Sequence, residues 1–94
     1  MNTIELEFNK ADTRIAGNPY GKEVFRTQVQ NKIDYQTKNC IVFPDQIEKI
    51  ASSFVQGFFS EVIKKVGYAR FGEVITVKAS SIELEKQIIE DLYF

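Results

Sequence analysis

The 94-residue sequence contains no histidine and no tryptophan, and its one cysteine is Cys40. A single thiol excludes an internal disulfide, and the missing imidazoles exclude the usual cysteine and histidine zinc sets. Cys40 also lacks the base that would activate it, so a thiol nucleophile is not expected. Two prolines and five glycines are scattered along the chain, which argues against a linker or a low-complexity segment. No apolar run approaches the roughly 20 residues that span a bilayer. The opening MNTIELEFNK lacks the basic-then-apolar order of a secretory signal, so a cytoplasmic location is expected. Neither sign of charge is in excess: 12 basic and 13 acidic residues leave a formal charge of -1. There is then no positive field to attract a nucleic-acid backbone, and no nucleic-acid partner is expected.

What the chain does hold is a patterned set of apolar residues. Its length suits a single domain over residues 1–94, too short for two separate cores. TIELEF alternates, with Ile4, Leu6 and Phe8 on one side, which predicts an edge strand wetted on one face. CIVF (Cys40 to Phe43) and VITV (Val74 to Val77) are almost continuously apolar and predict strands at the centre of the sheet. Three helical stretches are predicted. The first opens at GNPYGKEVFRTQV, with Asn18 as cap, Pro19 at the first helical position, and Val24, Phe25 and Gln28 facing inward. The second carries Phe54, Val55, Phe58, Phe59, Val62, Ile63 and Val66 on one broad face and stops at Gly67. The third, SSIELEKQIIEDLYF, starts with Ser80 and Glu83 in a capping-box pattern and turns Ile82, Ile89 and Leu92 inward. Alternating strands and helices predict an α/β domain with a parallel or mixed sheet of three to four strands and about three helices. A short strand near Arg14 to Ala16 would pair with the first strand as a hairpin and make the sheet mixed.

In such an open sheet the strand-to-helix turns share one edge, where ligands and partners bind, so Asn18, Ser52, Ser53, Ser80 and Ser81 are expected to gather there. Ser53, with Gln56 three residues on, reads as a capping box. Ser52 and Ser53 read equally as candidate phosphoacceptors, because a phosphate at a helix N-terminus meets free amides. Ser53, Gly57, Ser60 and Lys64 follow one outward stripe, three of the four being small. A glycine inside an exposed helix is either drift or the mark of a closely approaching backbone. Arg14 is a fixed cation on the same edge, open to a partner's anion or to a salt bridge with Asp12. GNPYG lacks the lysine and spacing of a phosphate loop, and carboxylate pairs such as Glu5 with Glu7 fall on wet faces, so no enzyme is expected.

Three segments, TRIAGNPYGKEVFRTQV, NCIVFPDQIEKIASSFVQGFF and VITVKASSIELEKQI, together resemble the bacterial STAS-like family, small domains similar to anti-sigma factor antagonists. In those antagonists the stretch after the central strand reads Asp-Ser-Ser-Gly, and its second serine is phosphorylated by a partner that is both kinase and anti-sigma factor. Here the stretch is Ala51, Ser52, Ser53 and Phe54, so the resemblance puts Ser53 at the phosphoacceptor and Ser52 before it, with Ala51 replacing the acid and Phe54 the glycine. It implies a regulatory module without a cofactor that binds a protein, a histidine-kinase-type ATPase or anti-sigma factor; the outward stripe and the shared edge put that contact at Gln56, Gly57, Ser60, Lys64 and Arg14. The alternative is a small structural or homo-oligomerising subunit in which the serines only cap.

Overall fold

The computed structural model describes residues 1–93, in the order β1 (Asn2–Glu5), β2 (Arg14–Ile15), α1 (Asn18–Gln28), β3 (Asn39–Val42), β4 (Lys49–Ile50), α2 (Ser52–Phe58), α3 (Ser60–Val74), β5 (Ile75–Lys78) and α4 (Ile82–Tyr93). The protein is α/β. β1, β3 and β5 form a parallel sheet in that order, with Ile4 opposite Ile41 and Ile41 opposite Val77. β2 and β4 form a separate two-stranded sheet, also parallel. The strand near Arg14 therefore pairs with β4 and not with β1, and no hairpin makes the main sheet mixed. β5 lies at an edge rather than the centre; Ile75 and Val77 are apolar because one face is packed into the core. The other edge of that strand is half closed. The Ile75 N–H donates to the Phe71 carbonyl and the Ala79 N–H donates to the Glu85 carboxylate at 3.0 Å.

The starts of the three main strands are tied by one buried amide. Asn39 is fully enclosed; its Nδ2 donates to the carbonyls of Asp34 (2.8 Å), Thr37 (3.1 Å) and Val74 (3.1 Å). Its Oδ1 accepts from Asn2 Nδ2 at 2.8 Å and from the Asp34 N–H at 3.0 Å. A polar group hidden this deeply is tolerated only when its bonding capacity is used, as it is here. At the other side, Gln28 of α1 grips the Glu7 backbone through both ends of its amide, extending the hold on the β1 segment.

The apolar face expected for one long second helix is indeed buried, but it is shared by α2 and α3. The helix breaks at Phe59 (φ -93°, ψ 4°), where the Ser60 hydroxyl donates to the Gly57 carbonyl at 2.8 Å and competes with the backbone ladder. A second break falls at Gly67, whose φ of 78° favours glycine, and helix resumes beyond it as far as Val74. Phe54, Phe58, Phe59 and Phe71 form a chain of ring contacts through the core, with centroids 5.6, 4.8 and 5.1 Å apart in sequence. α4 contributes Leu84, Ile88 and Leu92, an i, i+4, i+8 face; Ile82, expected inside, is 67% exposed, because it is the first helical residue and lies off that face.

The closest packing is between α1 and α2. Gly21 of α1 faces the α2 backbone: a methyl group there would overlap the Phe54 carbonyl oxygen and lie 2.7 Å from Phe58 N. Gly57 of α2 reciprocates: a methyl there would overlap the Asn18 carbonyl oxygen and lie 2.8 Å from its carbon. Both neighbours are backbone, which has little room to shift. Gly57→Ala should therefore destabilise the protein by about 2–3 kcal/mol through overpacking. Gly72→Ala should act oppositely: nothing lies within 4 Å of the added methyl, and removing an exposed helical glycine gains about 0.5–1 kcal/mol. Urea unfolding of both variants checks the two signs together.

Candidate functional site

β2 and β4 run side by side and enter α1 and α2 at the same level. The Ala51 N–H donates to the Ile15 carbonyl at 2.9 Å, carrying the pairing to the brink of both helices. At α1 the cap is Gly17, not Asn18: its φ of 105° makes the turn, and Asn18 and Pro19 are the first two helical residues. At α2 the cap is Ala51 in extended backbone, with no side-chain cap bond. The capping box expected from Ser53 and Gln56 does not form. Ser53 Oγ instead accepts the Gly17 N–H at 3.0 Å, so the serine braces the start of the neighbouring helix. Ser52, Ser53 and Gln56 are all exposed.

Ser80 and Ser81 lie at the β5–α4 turn and divide the expected labour differently. Ser81 Oγ accepts the Leu84 N–H at 3.1 Å and caps α4. Ser80 donates to the Ile47 carbonyl at 3.1 Å, tying that turn to the chain just before β4.

The outward stripe is interrupted. Gly57 is buried beneath Asn18, so the closely approaching backbone belongs to this chain's own α1 and little of Gly57 is left for a partner. Ser60 is half-buried and Lys64 exposed. These residues line a groove of about 530 Å³ between α1 and α3, together with Lys22, Phe25 and Arg26 from α1. Its cations are Lys22, Lys64 and Arg26; Arg26 is paired with Glu23 at 2.7 Å, the one salt bridge among the described residues. Lys22 and Arg26 were missed as lining residues because a groove between helices distant in sequence leaves no local pattern.

Arg14 is exposed and makes no salt bridge to Asp12. It stands opposite Lys49 in the β2–β4 ladder and lines a cleft of about 510 Å³. Lys49 was missed because β4 is only two residues long. No group of three or more histidine, cysteine, aspartate or glutamate side chains capable of holding a metal occurs among the described residues, and Cys40 is half-buried in β3. No helix is long and apolar enough to cross a membrane, again among the described residues.

The chain matches no known family model, no curated protein and no solved structure. Its geometry and chemistry have to carry the functional reading.

Beside the junction, Tyr20 packs its ring edge-on to Phe54 at 5.6 Å and to Phe8 at 6.4 Å. Burial, aided by the Asp12 carboxylate, raises its phenol above the ordinary 10.0. A raised value means the neutral phenol is favoured in the fold. Its contribution to stability is complete below the unfolded value and drains away as pH rises through the folded one. Asp12→Asn should move the Tyr20 titration downward, read as the difference in tyrosinate absorbance between proteins with Tyr20 and with Tyr20→Phe. Ser53→Ala should cost about 1 kcal/mol and speed hydrogen exchange selectively at the Gly17 amide.

Proposed function

We propose that this domain is a non-enzymatic cytoplasmic regulator that binds another protein through the start of α2 and the adjoining α1–α3 groove, with Ser53 as phosphoacceptor. The observation that carries the reading is the Ser53 hydroxyl, exposed to water at a point where two helix starts meet and bonded to one of them. Its oxygen is accessible to a kinase. A phosphate there would bring about two negative charges to the N-terminal end of α1, which tolerates anions, so modification need not unfold the domain. It would alter the shape and charge offered to a partner shaped for the neutral hydroxyl.

The resemblance to STAS-like domains supports the same assignment and suggests a histidine-kinase-type ATPase or anti-sigma factor as partner. Lys64, Ser60 and Gln56 supply the contact surface beside Ser53, and Arg14 supplies an anion contact on the same edge. Gly57 sets the surface indirectly, by fixing how close α1 lies. No cofactor enters this reading. A second reading, a structural subunit in which the serines only brace the fold, draws on the Ser53–Gly17 bond itself.

The two readings separate in one experiment. Wild-type protein and the Ser53→Glu and Lys64→Glu variants are incubated in extract from the native cell with ATP, then recovered, and bound proteins and phosphosites are identified by mass spectrometry. Phosphate on Ser53, and a protein partner retained by wild type but lost from both variants while circular dichroism shows both still folded, is the expected result. An unmodified Ser53, with all three forms retaining the same proteins, returns the domain to the structural reading.

A further inference from the structure

The β2–β4 sheet consists of two residue pairs, Arg14 opposite Lys49 and Ile15 opposite Ile50. Both isoleucines are buried, so the pleat sends the other pair to the solvent face. The register has no freedom: the Ala51 N–H donates to the Ile15 carbonyl at 2.9 Å and the Lys49 N–H to the Thr13 carbonyl at 3.2 Å. A slip of one residue would drive a charge into the core. Two cationic side chains thus rise from directly opposite positions on strands about 5 Å apart, and like charges directly opposite each other oppose sheet formation. Among the described residues, neither has an acidic partner within salt-bridge distance.

The fold requires Ile15 and Ile50 but asks nothing of positions 14 and 49. A paired positive charge there works against folding and calls for another use. We propose that Arg14 and Lys49 together form a binding site for an oxyanion, a carboxylate or phosphate group carried by the partner. This rests on the protein-binding reading for the source of the anion. Arginine presents a planar fork that matches either oxyanion with two parallel bonds, and lysine adds a mobile point charge. Room exists beside them: the cleft of about 510 Å³ has small walls at Ala16 and Ala51, and Gln87 of α4 adds an uncharged amide. Glu48, next to Lys49 in the chain, also lines the cleft and offsets part of the positive charge, which leaves the site a net charge of about +1 for an anion. The site lies at the strand ends that run into the Ser53 junction, so an occupant of that junction reaches it.

The test uses the purified full chain and two probes, inorganic phosphate and glutarate, each exchanged for chloride at constant ionic strength. Wild type should show a saturable rise in Tm, with amide shifts centred on Arg14 and Lys49, for at least one probe. A rise with phosphate alone assigns a phosphorylated partner residue, one with glutarate alone an acidic side chain or C-terminus, and a rise with both the shared oxyanion chemistry. Arg14→Gln and Lys49→Gln should each remove the response while leaving Tm without probe equal or higher, since a repulsion is lost. No saturable response to either probe, or an equal response in both variants, overturns the site. No partner is present in this assay, so its outcome is independent of whether the Ser53 experiment succeeds. An anion response without partner capture keeps the site and removes only its assignment to a partner.

Discussion

The arrangement of this domain depends on two helices that touch backbone to backbone. Gly21 and Gly57 leave no side chain between α1 and α2, so the first turn of α1 lies against the last turn of α2. That proximity brings Gly17 within reach of Ser53 and lets the short strands feeding the two helices pair in parallel. It also seats Phe54 and Phe58 where their rings can stack on each other and reach Phe25 and Phe43. A bulkier residue at either glycine would separate the helices and, with them, every polar contact at the junction. The surface where a partner is proposed to bind is therefore set from beneath, by packing that the partner never touches.

Much of this architecture was legible from periodicity. The alternation in TIELEF marks a true edge strand, the α/β order holds, and of the inward stripe Val24 and Phe25 are buried while Gln28 is half-buried. Hydrophobic pattern reports which residues are buried, because burial is a one-body property of each position. It says much less about which burying element lies where. β5 was placed centrally because its composition suits a covered strand, yet an edge strand packed on one face needs the same residues. β4 escaped notice because two residues cannot display a period. The break at Phe59 left the apolar stripe intact and was invisible for that reason. A single hydroxyl back-bond from Ser60 accompanies it, a contact no hydropathy pattern records.

The polar residues were harder to read still, since each has several partners within its chemical reach and tertiary structure selects among them. Ser53 and Ser80 both carried the local signature of a helix cap, and both instead bond to distant backbone, at Gly17 and Ile47. Ser81, which lacked an acidic residue three positions on, is the cap that forms. Asn39 showed nothing locally to distinguish it, though it binds groups from residues 2, 34, 37 and 74. Gly57 left two readings open in the sequence, drift or a close backbone approach, and the structure selects the second. The approaching chain proved to be internal, and Gly21 of the first helix is its counterpart. Against this background of satisfied groups, Arg14 and Lys49 differ in kind, because their juxtaposition opposes the fold that creates it.

The outer border of β5 has a consequence for how the molecule behaves in a crowded solution. Of the amides that would face away from β3, those of Ile75 and Ala79 are already occupied by Phe71 and Glu85. Among the described residues this leaves the Val77 N–H as the one outward donor of β5, too little to template another chain. Edge-to-edge stacking into fibrils, the hazard of any unclosed sheet, is thereby frustrated on this side without resort to proline or a bulge.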